Sequence, residues 1–206
     1  MIEAEPAAAA SLFGDRIELA RDFAHELGSR GEELGLVGPL EAERLWTRHI
    51  LNCVLPAPLL RPGLVGDIGS GAGLPGLVLA IARPDVAFVL VEPMERRVDW
   101  LRGESERLGL QNVTVERARA EDAPLVGRLD QVTARAVSAL SKLIPITAPL
   151  VKSGGELVFM KGARVDVEAA AAAKQIQAAR LRDVEMLVLG EGVVPEVTRV
   201  FRATVG

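Results

Sequence analysis

Ten residues, Asp67 to Gly76 (DIGSGAGLPG), hold four glycines at the end of a short apolar run that starts at Leu64. Glycine at this density frees the backbone to take φ > 0 and lets another group approach without a Cβ in the way. It also breaks any regular element, so the stretch must be a turn. LVGDI (Leu64–Ile68) before it reads as a strand and Pro75–Arg83 after it as a helix. Downstream the same alternation continues. Val86–Glu92 is a nearly continuous apolar run, as expected of a parallel strand covered on both faces. Met94–Leu108 has a helical pattern, and NVTVER and Leu129–Ala136 read as strands. A helix with a break at Pro145 leads to the strand in SGGELVFMKG, then to an Ala-rich helix over Val165–Leu181. Val184–Leu189 and Val197–Thr204 can pair as an antiparallel hairpin. The order predicts an α/β fold: a doubly wound, mostly parallel, Rossmann-like sheet with a C-terminal antiparallel hairpin.

Ahead of residue 64 the texture is helical. Phe13, Ile17, Ala20, Ala24 and Leu27 recur at three- and four-residue spacing, predicting an amphipathic helix over residues 12–30. A second helix opens at Pro39 and carries Leu45, His49 and Asn52 on one face, and three prolines in LPAPLLRPG end it. The expected organisation is a disordered tail (1–11) and one domain (12–206), divided into a helical cap (12–62) and an α/β core (63–206). No apolar run reaches the roughly 18–20 residues that span a bilayer, and no signal-peptide pattern precedes the cap. The expectation is a cytoplasmic, monomeric protein without a membrane role. Cys53, the single cysteine, agrees with a reducing compartment, and His25, His49 and Cys53 are too scattered for a metal site. The net charge of −4 is unevenly spread: residues 1–127 carry 13 Lys and Arg against 20 Asp and Glu, residues 128–206 carry 11 against 8. That asymmetry permits a basic face on an acidic protein, and equally permits chance variation of a solvated surface.

The glycine loop can be read in two frames. Gly71, Gly73 and Gly76 spell G-x-G-x-x-G, the dinucleotide pattern, whereas Asp67, Gly69, Gly71 and Gly73 spell D-x-G-x-G-x-G, the pattern of S-adenosylmethionine sites. Glu92, 19 residues after Gly73, ends the second strand where a carboxylate can accept from both hydroxyls of an adenosine ribose in either case. Two residues tilt the choice toward the methyl donor. Asp67 places a carboxylate inside the strand end, costly unless it orders the loop or meets a cation. Pro75 removes a backbone N–H from the helix start, where a pyrophosphate would want one. After the third strand, Ala120 and Glu121 of AED stand where a backbone N–H and a carboxylate can hold an adenine edge; an acid-rich helix start would look the same.

Five ordered motifs then carry a resemblance: WTRHILN (Trp46–Asn52), DIGSGAGLPG, VEPMERRVDWL, TARAVSAL and FMKG. In order and spacing they resemble the bacterial small-subunit ribosomal RNA guanine-N7 methyltransferases, also called the glucose-inhibited division protein B family, over roughly residues 12–162. The resemblance implies a class I methyltransferase sheet under an N-terminal cap. The implied donor is S-adenosylmethionine, and the implied acceptor is N7 of a guanine in the decoding-region (530) loop of 16S rRNA, within the small ribosomal subunit or its precursor. It implies donor contacts at Gly69 and Leu74, supported by Asp67, Gly71, Gly73 and Glu92, and adenine contacts at Ala120 and Glu121. Arg135 of TARA would lie beside the methyl-transfer site as both donor-binding and catalytic residue. Lys161 of FMKG, Arg48 and His49 of the cap, and Arg199 of VTRVFR would face RNA. EELGLVGP stands where the family commonly has an aromatic and an Asn-Leu-Thr run, and VTRVFR where it has an Arg-His pair.

By residue type alone, Arg135 reads equally as a structural salt-bridge partner, Lys161 as a solvated strand end and His49 as a half-buried histidine. Guanine N7 needs no deprotonation, so the expected machinery is positional, without a general base. Aromatics make up 3% of the chain and tyrosine is absent, so RNA recognition is expected through shape and phosphate charge rather than a stacking platform. The competing readings are a methyltransferase for another substrate and an NAD(P)-dependent reductase using the dinucleotide frame.

Overall fold

The computed structural model describes residues 2–206. Seven strands form one sheet: β1 (Leu64–Ile68), β2 (Ala87–Val91), β3 (Val113–Glu116), β4 (Leu129–Arg135), β5 (Val151–Lys161), β6 (Arg182–Leu189) and β7 (Thr198–Thr204). Their spatial order is β3-β2-β1-β4-β5-β7-β6. β1 pairs in parallel with both β2 and β4, and β7 alone runs antiparallel, between β5 and β6. The chain winds outward from β1 to β3, then restarts at β4 on the other side. The crevice beyond the carboxyl ends of β1 and β4 is the switch point where open α/β sheets hold ligands.

The seven residues of α4 (Gly76–Ala82, GLVLAIA) are buried from Gly76 through Ile81. A helix apolar on every side needs cover on every side. β1 and β2 supply one wall, and the cap supplies the other through α1 (Ala8–Phe13), α2 (Ile17–Arg30) and α3 (Leu51–Val54). Phe13, Phe23, Leu27, Leu45, Trp46 and Ile50 share one core with Leu77, Leu79, Ile81 and Phe88. On the opposite face, α6 (Leu140–Thr147), α7 (Val165–Ala171) and α8 (Ala173–Ala178) enclose a second core around Val132, Leu157, Phe159 and Phe201.

Several local expectations are corrected. Residues 2–11 are folded onto the cap, not a disordered tail. Ala9 and Phe13 are buried, the Glu3 amide donates to Ala42 O, and Glu5 pairs with Arg21. The small side chains of the alanine run are what lets α1 approach closely. The helix expected over 12–30 breaks at Gly14, whose φ is 52°. The second cap helix is three pieces: a 3-10 turn Glu41–Arg44, a π-helical turn Leu45–Ile50, and α3. Conversely, α6 runs through Pro145 without breaking, because burial of Leu140, Leu143 and Ile144 offsets the one lost hydrogen bond. The Ala-rich helix divides at Ala172 into α7 and α8.

Candidate active site

The glycine loop hangs from three buried anchors. Asp67, fully buried, accepts from the Gly76 amide at 3.0 Å and from the Thr133 hydroxyl at 3.1 Å. A Cβ on Gly76 would lie 2.4 Å from the Asp67 carboxylate and from Leu90 Cδ2, which explains that glycine. Glu92 Oε2 accepts from the Gly71 amide at 3.0 Å, and its Oε1 from the Met94 amide at 3.0 Å. Trp100 Nε1, on α5 (Glu95–Arg107), donates to Ala72 O at 3.0 Å. Burial pushes the Asp67 carboxyl up to about 6, against the lowering effect of its hydrogen bonds with Ser70, Thr133 and Gly76. Asp67 thus stands beneath the loop and lines no cavity. Gly73 does the same service as backbone: its φ of 90° places Leu77 where a Cβ would go.

Three cavities run along the carboxyl end of the sheet. The first, about 390 Å³, is lined by Gly69, Glu92, Met94, Arg97, Ala120 and Glu121, with Val137 and Ile146 as apolar wall. The second, about 430 Å³, lies between the loop and the cap and takes in Gly69, Gly71, Leu74, His49, Arg97 and Arg135. The third, about 490 Å³, is lined by Arg48, Asn52, Arg135, Lys161, Glu196 and Arg199. The first two share Gly69 and Arg97, the last two share Arg48 and Arg135, and Ala136 borders all three. Ala136 has φ 54°, a left-handed conformation rare for a residue with a Cβ and common where function imposes strain.

Arg135 ends β4 at the junction. It makes no salt bridge among the described residues. Its Nη1 donates to Cys53 Sγ at 3.0 Å and its Nη2 to Arg48 O at 3.3 Å and His49 Nδ1 at 2.8 Å. Because Nδ1 accepts, the imidazole proton sits on Nε2 and donates to Glu41. Burial, and then the Arg135 charge, lower the His49 pKa and keep the ring neutral. His49 therefore meets Arg135 and the second cavity, and is absent from the lining of the third. Lys161 is mostly buried, donating to Ser138 O at 2.9 Å and pairing with Glu168 at 2.7 Å, so it is not a solvated strand end. Arg48 lies 3.6 Å from Glu196 and 3.8 Å from Glu41. Arg199, opposite Lys161 in the β5–β7 ladder, has no side-chain partner among the described residues. The sequence reading missed Arg97, Ala136, Met94, Trp100 and Glu41. Of these, Met94 stands two residues after the strand-end Glu92, the one sequence signal that could have placed it at the site.

The sequence profile of the rRNA small subunit methyltransferase G family matches residues 16–196. The chain belongs to this family. It is 67% identical to the ribosomal RNA small subunit methyltransferase G of Clavibacter michiganensis, over all of this chain and 97% of that one. Identity to the Leifsonia xyli protein of the same name is 66%, over 99% of this chain and 98% of that protein. Solved structures agree on the fold. A SAM-dependent methyltransferase from Aquifex aeolicus superimposes with a TM-score of 0.58 at 18% identity, covering 79% of this chain and 93% of that one. TYW2 from M. jannaschii, solved with AdoMet, gives 0.60 at 19% identity, covering 78% and 76%. The chain is a methyltransferase. The first two cavities suit the AdoMet that the M. jannaschii protein was solved with. Gly69 lies between them with φ 70°, and a Cβ there would meet Val137 at 2.8 Å. Each Glu92 oxygen accepts one amide and keeps a further lone pair for a hydroxyl.

Proposed function

We propose that this enzyme methylates N7 of a guanine in the decoding-region loop of 16S rRNA, in the cytoplasm, acting as a monomer on the small subunit or its precursor. The observation that carries the reading is the third cavity. It opens from the donor cavities at Arg135 and Ala136, and its wall holds Arg48, Arg135, Lys161 and Arg199 against one acid, Glu196. A cavity of about 490 Å³ with that balance suits a nucleotide, base inward and phosphate outward.

In this reading Glu92 takes the ribose, Ala120 and Glu121 the adenine edge, and Gly69, Gly71 and Leu74 the methionine. Bound S-adenosylmethionine supplies an electrophilic methyl on a sulfonium. Guanine N7 offers an unprotonated lone pair, so the chain's task is to align acceptor and donor and to exclude water. Arg135, braced by Cys53, Arg48 O and His49, holds the wall between them. The ion pair to Glu168 fixes Lys161 on the far wall. Arg199, the cation of this wall without a side-chain partner among the described residues, meets backbone phosphate. Mass spectrometry of 16S rRNA from cells with and without the gene tests the reading. N7-methylguanine in the decoding-region fragment should vanish with the gene; an unchanged signal refutes it.

A further inference from the structure

Of the two ends of S-adenosylmethionine, the methionine end carries the one anionic group, an α-carboxylate that must be paired when it leaves water. Glycine loops commonly serve anions through their amides. Here nearly all of those amides are spent, and only that of Ala72 is without a partner among the described residues. Gly69 and Ser70 donate to Val91 O, Gly71 to Glu92, and Gly73 and Leu74 to Ser70 O. Pro75 has none to give. One amide can donate a hydrogen bond but cannot balance a full charge, so the carboxylate needs a side-chain cation.

The second cavity offers Arg48, Arg97 and Arg135. Arg48 faces Glu41 and Glu196, and Arg135 is committed to Cys53, His49 and Arg48 O. The side chain of Arg97, on the first turn of α5, donates no hydrogen bond among the described residues. Its nearest anion, Glu92, is 3.9 Å away, and its buried Nε has no partner. Its side chain is 34% exposed, and it is the cation that lines both donor cavities. Arg119, also without a side-chain partner among the described residues, lines only the first cavity, next to Ala120 and Glu121 at the adenine end.

We infer that Arg97 binds the α-carboxylate of S-adenosylmethionine, so that the enzyme selects the intact amino acid end of its donor through a side chain outside the glycine loop. The inference rests on the donor assignment and deepens it. Arg97 also lies beside the Glu92 carboxylate, so one residue balances charge at the ribose and at the methionine.

Calorimetry on the full chain separates this from a structural role. Wild type and three variants, Arg97→Met, Arg97→Lys and Arg119→Met, are titrated with S-adenosylmethionine and with its decarboxylated analogue. Wild type should prefer the intact donor by about 10- to 100-fold, the worth of a charge-assisted pair. Arg97→Met should lose that preference while binding the decarboxylated analogue as wild type does. Arg119→Met should keep it. A thermal melt checks that each variant is folded, and Arg97→Lys should recover part of the preference. If Arg97→Met still discriminates as wild type does, or loses both ligands equally, the inference is wrong. If wild type binds neither ligand, the donor assignment falls with it.

Discussion

The two halves of the active crevice are built on different principles. On the donor side, groups are buried and committed: Asp67, Ser70 and Glu92 are at most 2% exposed and hold backbone in positive-φ conformations. On the acceptor side, charged side chains from the cap, β4, β5 and β7 converge across sequence separations of more than a hundred residues, with loose pairs such as Arg48–Glu196. One side fixes a small ligand by shape and buried polarity. The other presents charge to a large, polyanionic one. Mutations and pH should act on the first, and salt on the second.

The largest effect expected is on the donor side, at Asp67. Its folded pKa of about 6 stands above the usual 3.8. The folded state thus holds the proton more tightly than the unfolded chain. The stabilisation is fully present below about pH 4 and is lost as pH rises through 6, for a total of about 3 kcal/mol. Asp67→Asn removes this dependence while keeping an acceptor for the Gly76 amide. Denaturant unfolding at pH 4.5 and pH 7.5 should therefore favour the variant by about 2 kcal/mol more at the higher pH, the part of the total that falls in this window. An unchanged difference between the two pH values would mean that Asp67 is not ionised against a burial cost, and the contrast between halves would lose its best support.

That contrast also decided what could be read from the sequence. The loop, its strand and its helix are local, and the glycine spacing states their backbone requirements directly. Asp67 was recognised as an expensive residue with two outcomes, and burial selects the loop-ordering one. Glu92 followed from the end of its strand, whereas Arg135 came only through the family resemblance. What the sequence could not show is which charged groups find each other. Arg135 was read as a salt-bridge partner or a catalytic group, yet its acceptors are a thiol, an imidazole and a carbonyl from a π-helical turn that no period of 3.6 describes. Arg97 is one charge in the run ERR, and what singles it out is that it lines both donor cavities while Arg48 and Arg135 already have partners. The tail misread as disordered failed for the same reason: Ala9 is buried only because α2 and α4 are there to receive it.

Arg135 lies at the seam, and its expected effect is next in size. Arg135→Ala should slow single-turnover methylation of small-subunit particles by about 30- to 100-fold, the scale of misplaced reactants. The brace adds a pH signature. His49 must be neutral to accept from Arg135, and its pKa is lowered by burial and by that charge. The wild-type rate should therefore hold through about pH 6.5 and fall only below it, as Nδ1 takes up a proton. Arg135→Ala, with no hydrogen bond to lose there, should not share that fall. A full rate in the variant would reduce Arg135 to scaffolding.

The smallest effect separates the halves most cleanly. Arg199 faces the third cavity without a side-chain partner among the described residues. A cation that neutralises one phosphate releases one counterion on binding. Arg199→Ala should flatten the plot of log affinity for small-subunit particles against log salt by about 0.7 to 0.9, and weaken binding a few-fold at physiological salt. Calorimetric affinity for S-adenosylmethionine should not move, because Arg199 lines neither donor cavity. A lost donor affinity with an intact salt slope would invert the division: the basic wall would then be shaping the donor site, and the RNA would be gripped elsewhere.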